Sequence, residues 1–424
     1  MQKPFMANEP QPGRSESQVK RSSEHGRGQA ESRPAPTSVS KSKGPTSDTA
    51  RKQYPRRSSD LTTTVNPNDK CGATEQNNSL SLSAPNIALW LPSQSNVDSG
   101  ACTPDFLRHV RQFVKYGNFT MAYTTLQPGM NYFESQGGYI AYNSCMGATC
   151  VLGDPVAPSE ARATMIDEFV RTRHHVCFYQ ISQEVGSILS NLGWYVNEFG
   201  ADMELELKSY DFEGPKKAKL RQAARKIERE GYRIEERTDS QVDPFAISQL
   251  CVSWLATKTV PREGRFLARP FSFGFEPGVR KFYLINAADQ LVAFVIFDPI
   301  CEAGRVIGYS PAVKRRSNAA PVGAEEAIVK HAIEQFRGEG IKFLRLGLMP
   351  LFDLEPSMFP EAVPLRKFLQ WIYRYGDSWI YNFHGHADFK HRYRGRLSKV
   401  YVASRLFWGN AYYLIAMMRL SNLL

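Results

Sequence analysis

Four stretches of this sequence carry residue types that could do chemistry. Near the C-terminal end, Lys390, Arg392 and Arg394 alternate; on an extended strand they share one face, where the cations can hold a phosphate. His384, His386 and Asp388 alternate just before them, a spacing able to bind a metal ion. No second ligand group accompanies them, so no metal is expected. Arg315 and Arg316 precede Gly323, at the start of a helical pattern. Two cations with the N–H groups of a helix start make a site for the phosphates of a donor molecule. Asp154, in the turn Gly153-Asp154-Pro155, offers a carboxylate that either forms the turn or faces a reaction. The fourth stretch, PKKAKLRQAARKIERE at 215–230, reads as a helix. Leu220, Ala223, Ala224 and Ile227 form a narrow apolar stripe, while seven cations, Arg221 and Arg225 among them, crowd the remaining surface. The acids Glu228 and Glu230 come only at its end, so the face is largely uncompensated and suits a polyanion. A solvated rim of charge is the plainer reading of each basic group.

Stepping outward from these residues, the chain must supply elements to hold them. GAEEAIVKHAIEQFRGEGIKFLRLGLMP, 323–350, reads as an amphipathic helix that stops at Gly338-Glu339-Gly340 and runs into a buried strand. Upstream lie strands at 290–298 and 304–310, then a basic loop at 312–321. The first half repeats that plan, with strands at 138–143 and 148–153, a helix at 160–173, strands at 176–182 and 201–208 and a helix at 184–192. The expected fold is therefore mixed α/β, with two tandem halves of one design at 87–236 and 237–402, the basic helix belonging to the first. Residues 1–86 are poor in large apolar side chains and read as a disordered basic tail; 1–70 hold 13 Lys/Arg against 7 Asp/Glu. That tail supplies about half of the formal net charge of +11.

The seven cysteines are scattered and odd in number, with no CxxC, which suits reduced thiols in a cytoplasmic protein. No segment is long and apolar enough to span a membrane. Residues 403–424 read as an amphipathic C-terminal helix, either lying in a membrane interface or docked on its own domain. There is no Ser-His-Asp order, no phosphate-binding GxxxxGK[ST] and no GxGxxG, so hydrolase, kinase and dinucleotide readings lack support.

GGYIAYNSCMGATCVLGDPVAP, KAKLRQAARKIEREGY, RLGLMPL and YNFHGHADFKHRYRGRLSKVY, in that order, resemble the C-terminal catalytic domain of the bacterial phosphatidylglycerol lysyltransferases. The resemblance covers about 106–402. It implies a pair of GNAT-like acyltransferase domains around a tunnel, and transfer of an amino acid from aminoacyl-tRNA, as co-substrate, to a lipid hydroxyl. No cofactor is implied. Asp154, Lys390 and Arg392 become candidate catalytic residues. Arg221, Arg225, Arg315, Arg316, Gly323, Tyr393 and Tyr401 become candidate substrate contacts. The partners are then aminoacyl-tRNA and an anionic lipid surface, with the protein peripheral to the inner face of the cell membrane. The chain departs from the family where Gly308-Tyr309-Ser310 replaces an acidic strand motif. Two other readings stay open: an acyl-CoA-dependent N- or O-acyltransferase, and a non-catalytic module binding RNA or a membrane surface.

Overall fold

A computed structural model describes residues 103–424 except 275 and 409. The tail at 1–86, the stretch to 102 and the thiols Cys71 and Cys102 lie outside the described residues. The repeated plan is written in the strand pairing. In the first half, the hairpin β2 (Gly138–Cys145) and β3 (Ala148–Leu152) leads through α2 (Ser159–Arg171) into β4 (Val176–Ile181), parallel to β3. In the second, the hairpin β8 (Leu291–Glu302) and β9 (Arg305–Arg316) leads through α6 (Ala324–Gly338) into β10 (Phe343–Pro350), parallel to β9. Continuous apolar runs make these strands: β4 is buried at every position and β8 at all but its ends, as strands covered on both faces must be.

The halves are joined by exchange. The sheet runs β1 (Asn131–Ser135), β2, β3, β4, β11 (Arg396–Ser404), β5 (Tyr195–Glu206), β10, β9, β8, β7 (Arg280–Ile285), β6 (Arg233–Glu236). The last strand of each half lies inside the other: β11 between β4 and β5, and β5 between β11 and β10. Apart from the extra edge strand β6, the order is symmetric about the β5–β11 pair, which is the tandem GNAT-like arrangement anticipated from the sequence. Around the division expected at 236/237, β6 pairs with β7, and α4 (Ala218–Arg229) packs on α6. Residues 218–236 thus run with the second half.

Two local expectations are corrected, and a third is narrowed to one of its two readings. The basic loop at 312–321 is strand as far as Arg316, because Lys314, Arg315 and Arg316 pair with Val295, Phe294 and Ala293. Residues Phe383–His391 form a helix, α8, in place of a strand. Asn382 caps it by accepting from Gly385 N at 2.8 Å, and Phe383, Ala387 and Lys390 are buried at i, i+4 and i+7. The C-terminal helix is α9 (Asn410–Leu420), docked on β2 and β3 with Tyr413, Leu414, Ala416 and Met417 buried. Among the described residues no helix is long and apolar enough to cross a membrane.

A buried ion cluster ties together the second half and touches the first at Tyr123. Arg269 donates from Nε and Nη2 to the Asp298 carboxylate at 2.6–2.9 Å and from Nη1 to Glu276. Its guanidinium lies 5.3 Å from the ring centre of Tyr123, and Lys281 joins Glu276 and Asp239 at 2.6 and 2.7 Å.

Candidate functional site

β9 and β10 part after two residue pairs, Phe343 with Gly308 and Leu344 with Tyr309. Gly308 permits that approach, since a Cβ there would overlap the Phe343 ring. Beyond it, β10 breaks register with β5 between Arg345 and Leu348, and Gly347 takes φ 80°, which glycine adopts freely. The sheet therefore opens at its centre. A Cβ on Gly347 would sit 3.5 Å from Lys390 Nζ and 3.8 Å from Ser310 Oγ, so both atoms face the bare glycine.

Lys390 reaches this gap from α8. It is 3% exposed, and its Nζ donates to the Leu348 carbonyl at 2.8 Å. No carboxylate among the described residues pairs with it. Burial holds its ammonium pKa well below the ordinary lysine value, Lys314 adds repulsion, and Asp202 opposes both with a smaller attraction. His386, also on α8, is lowered by burial and by Lys390 and Lys314, and its Nδ1 is buried with no partner among the described residues. Lys314 lies over the Phe389 ring at 4.1 Å, 3.8 Å from Glu325 in the first turn of α6.

Across the gap, β5 presents two acids on one face with opposite tendencies. Asp202, opposite Leu348 in register, is buried, and burial raises its carboxyl pKa although Thr120 and the Met203 N–H donate to it. Glu204 is also pushed up by burial, but Arg345 and Arg396, at 2.9 and 2.7 Å, hold it below the usual carboxylate range. Of the two, Asp202 is the one whose charge reaches Lys390, while Glu204 is tied up by its two arginines. The amine, the histidine ring and Lys314 together can polarise a carbonyl or receive an anion.

The remaining candidates are placed differently. Arg392 pairs with Glu326 of α6, and Arg394 is exposed at φ 56°, so no three-cation face exists. Tyr393 is buried, with its carbonyl accepting from Tyr210 and its hydroxyl without a partner among the described residues. Tyr401 packs 5.3 Å from Phe359 in the first half's core. Asp154 accepts from Ser182 N at 2.8 Å, at the start of α3 (Gln183–Asn191), beside the Arg162–Glu184 pair; no gap residue bonds it. Burial raises its carboxyl, yet its geometry is that of a turn anchor. Arg315 is buried over Trp254, 3.7 Å from the ring centre, and bonded to Glu263, while half-exposed Arg316 lies 3.9 Å from Glu325. Gly323, at φ 96°, lets α6 touch α4, where a Cβ would meet Ala223 at 2.7 Å. Arg221 donates to the Phe212 and Gly214 carbonyls and holds a loop, whereas Arg225 is exposed. His384 bonds Asp377 at 2.7 Å, and Asp388 is exposed. Sequence reasoning missed Asp202 and Ser310, for which only the strand pairing gives a signal, and Thr120, which reaches the site from a turn by bonding Asp202.

Residues 110–404 match the profile of the family "Phosphatidylglycerol lysyltransferase, C-terminal". The chain belongs to that family. A phosphatidylglycerol lysyltransferase of Bacillus subtilis (strain 168) is 26% identical over 286 residues, covering 65% of this chain and 32% of that protein. One from Staphylococcus xylosus is 24% identical over 131 residues, 30% of this chain and 16% of the other. The chain thus spans about a third or less of these lysyltransferases. Two solved structures share its fold at 21% identity. L-PGS from Bacillus licheniformis gives a TM-score of 0.62 and covers 76% of this chain and 96% of its own. The C-terminal domain of a putative lysylphosphatidylglycerol synthetase from Agrobacterium fabrum gives 0.63, with 75% and 97% covered.

Proposed function

We propose that this protein is an aminoacyltransferase that moves an amino acid from aminoacyl-tRNA to a hydroxyl of phosphatidylglycerol or a similar lipid, at the inner face of the cell membrane. The transfer site is the gap between β9 and β10. The observation that carries this reading is Lys390, a buried amine with no paired carboxylate among the described residues, facing the bare Gly347 in a chain of the lysyltransferase family. In the reaction the lipid oxygen bonds to the aminoacyl carbonyl carbon, and the bond from that carbon to the ribose oxygen breaks. The proton leaves the lipid hydroxyl and ends on the ribose oxygen. Lys390, whose ammonium form burial disfavours, takes and returns that proton; Lys314 and His386 face the negative charge that develops on the carbonyl oxygen. Asp202 sets the balance of charge. An activated ester needs no covalent enzyme intermediate, so positioning suffices. The contact of α4 with the start of α6 favours tRNA over acyl-CoA, because Ala223 flanks the N–H groups that a pyrophosphate would use.

Lipid mass spectrometry with and without expression of the full chain tests this. An aminoacylated lipid is expected with the native sequence and not with Lys390→Ala. If no such lipid forms, the transferase reading fails and a binding module remains.

The tRNA arm has its own test. Lys219, Arg225 and Arg229 are exposed on α4 and form no ion pair among the described residues. Lys217 and Arg221 are engaged with the loop at 211–214 and are unsuitable for substitution. Changing the three exposed cations to Gln is expected to weaken tRNA binding and to flatten its salt dependence by about one unit of slope per lost phosphate contact. An unchanged slope would reduce α4 to a solvated face.

A further inference from the structure

Helix α7 (Val363–Tyr375) has two faces of opposite character. Leu365, Leu369 and Ile372 are buried against the domain. The outer face is aromatic, with Phe368, Trp371 and Tyr375 at i, i+3 and i+7, joined by Trp379 after a 3-10 turn. They are 42, 47, 51 and 52% exposed, too much for four large rings whose only role is to fold the chain. The rings are contiguous: Phe368 stacks on Trp371 at 6.0 Å, and Trp371 lies 5.9 Å from Tyr375 and 6.2 Å from Trp379.

We propose that this ridge is a membrane-interface anchor, seating the protein on an anionic lipid surface. Trp and Tyr combine an apolar body with a polar group and settle where hydrocarbon meets head groups. The charges beside the ridge agree. Lys367 and Arg374 are exposed on the same outer face and form no ion pair among the described residues. Of the neighbouring acids, Glu361 bonds Arg366 at 2.9 Å and Asp377 bonds His384 at 2.7 Å, while Asp388 and Asp353 lie toward Tyr373. Free cations flanking aromatic rings complement anionic head groups. A second copy of the chain fits less well, because a twofold contact through this face would bring Lys367 and Arg374 toward their own counterparts.

The ridge is also mechanically joined to the gap. The turn after α7 leads directly into α8, which carries Lys390, and Tyr373 of α7 packs 4.4 Å from His384 of α8. A lipid surface against α7 therefore abuts the element that supplies the amine. This step rests on a lipid being the acceptor, but its test does not require turnover.

The experiment uses the full chain and vesicles of phosphatidylcholine with about one third phosphatidylglycerol. In Phe368→Ser/Trp371→Ser/Trp379→Ser, partitioning in flotation is expected to fall at least tenfold with an unchanged melting temperature. Trp408→Ser, removing a separate exposed tryptophan, is expected to bind as the native protein does. Lipids brominated along their chains are expected to quench native fluorescence, and Trp371→Phe/Trp379→Phe to keep binding while losing most of that quenching. This second variant locates the contact even where other segments also hold the vesicle. Native-like partitioning of the triple variant together with unaltered quenching in the double variant overturns the proposal. Conversion of a native dimer to monomer by the triple variant, with vesicle binding intact, also overturns it and assigns the face to a second copy. If the ridge binds vesicles as described but no aminoacyl lipid is made, the transferase reading fails and the anchor stands.

Discussion

Lys390→Ala is expected to lower kcat/KM for aminoacyl transfer by roughly thirty- to nearly a thousandfold, or about 2–4 kcal/mol of transition-state binding. Its effect on stability separates catalysis from scaffolding. A surface lysine would leave folding unchanged, but Lys390 is enclosed, and of the influences on it burial and Lys314 outweigh Asp202. The folded protein thus disfavours its ammonium. Between the depressed folded pKa and the ordinary lysine value, the unfolded chain binds more protons, so native stability rises with pH through that window. Lys390→Met fills the same space without charge and is expected to be more stable than the native protein by about 1 kcal/mol or more. Its advantage should be greatest in mild acid and shrink as pH climbs toward the lysine range. Urea midpoints at about pH 6 and pH 9, read beside single-turnover transfer, decide the matter. A Met variant that is inactive and less stable at the lower pH would make Lys390 a structural residue.

Arg269→Met is expected to show the opposite pattern, with large loss of stability and normal turnover per folded molecule. The substitution strands Asp298 and Glu276 in the interior without their guanidinium, which typically costs about 3–5 kcal/mol. Burial already raises the Asp298 carboxyl with Arg269 in place, and its removal raises it further. A carboxyl with a raised folded pKa loses stability as pH rises through that value. The penalty should accordingly be largest above neutrality and lessen on acidification, as Asp298 takes up a proton. Urea unfolding at about pH 5 and pH 8 gives the comparison. A variant equally stable at both and close to native would show the cluster to be dispensable.

The parts of the fold legible in the sequence were those with local signatures. The paired hairpin–helix–strand units follow from apolar runs and turn residues, and the parallel pairing of β3 with β4 and β9 with β10 repeats accordingly. Lys390 was legible by its motif but assigned to a strand, because polar residues alternating at 384, 386, 388, 390 and 392 mimic a pleat. The competing signal was the 383, 387, 390 spacing, which buries one helical face and draws Lys390 in with it. Asp202 was not legible. On β5 it looks like one of several alternating acids facing water, and only the arrival of β10 and β11 on either side encloses it. Arg315 and Gly323 had the right chemistry for anion binding, yet each is used up in packing, by Trp254 and Ala223. Such non-local neighbours leave no trace in local spacing.

The exchange of β5 and β11 has a consequence for how the chain is made. Arg396 and Glu204, neighbours across those strands, are 192 residues apart. At ordinary ribosomal speed the intervening segment takes about 10–40 s to synthesise. During that interval β4 and β5 have emerged without the strand that belongs between them, and each presents unpaired N–H and C=O groups able to recruit another chain. A message truncated before residue 396 fixes that exposure permanently, so such fragments are destined for chaperones or aggregates even though most of both halves is present. The exchange leaves the two halves unable to mature one at a time.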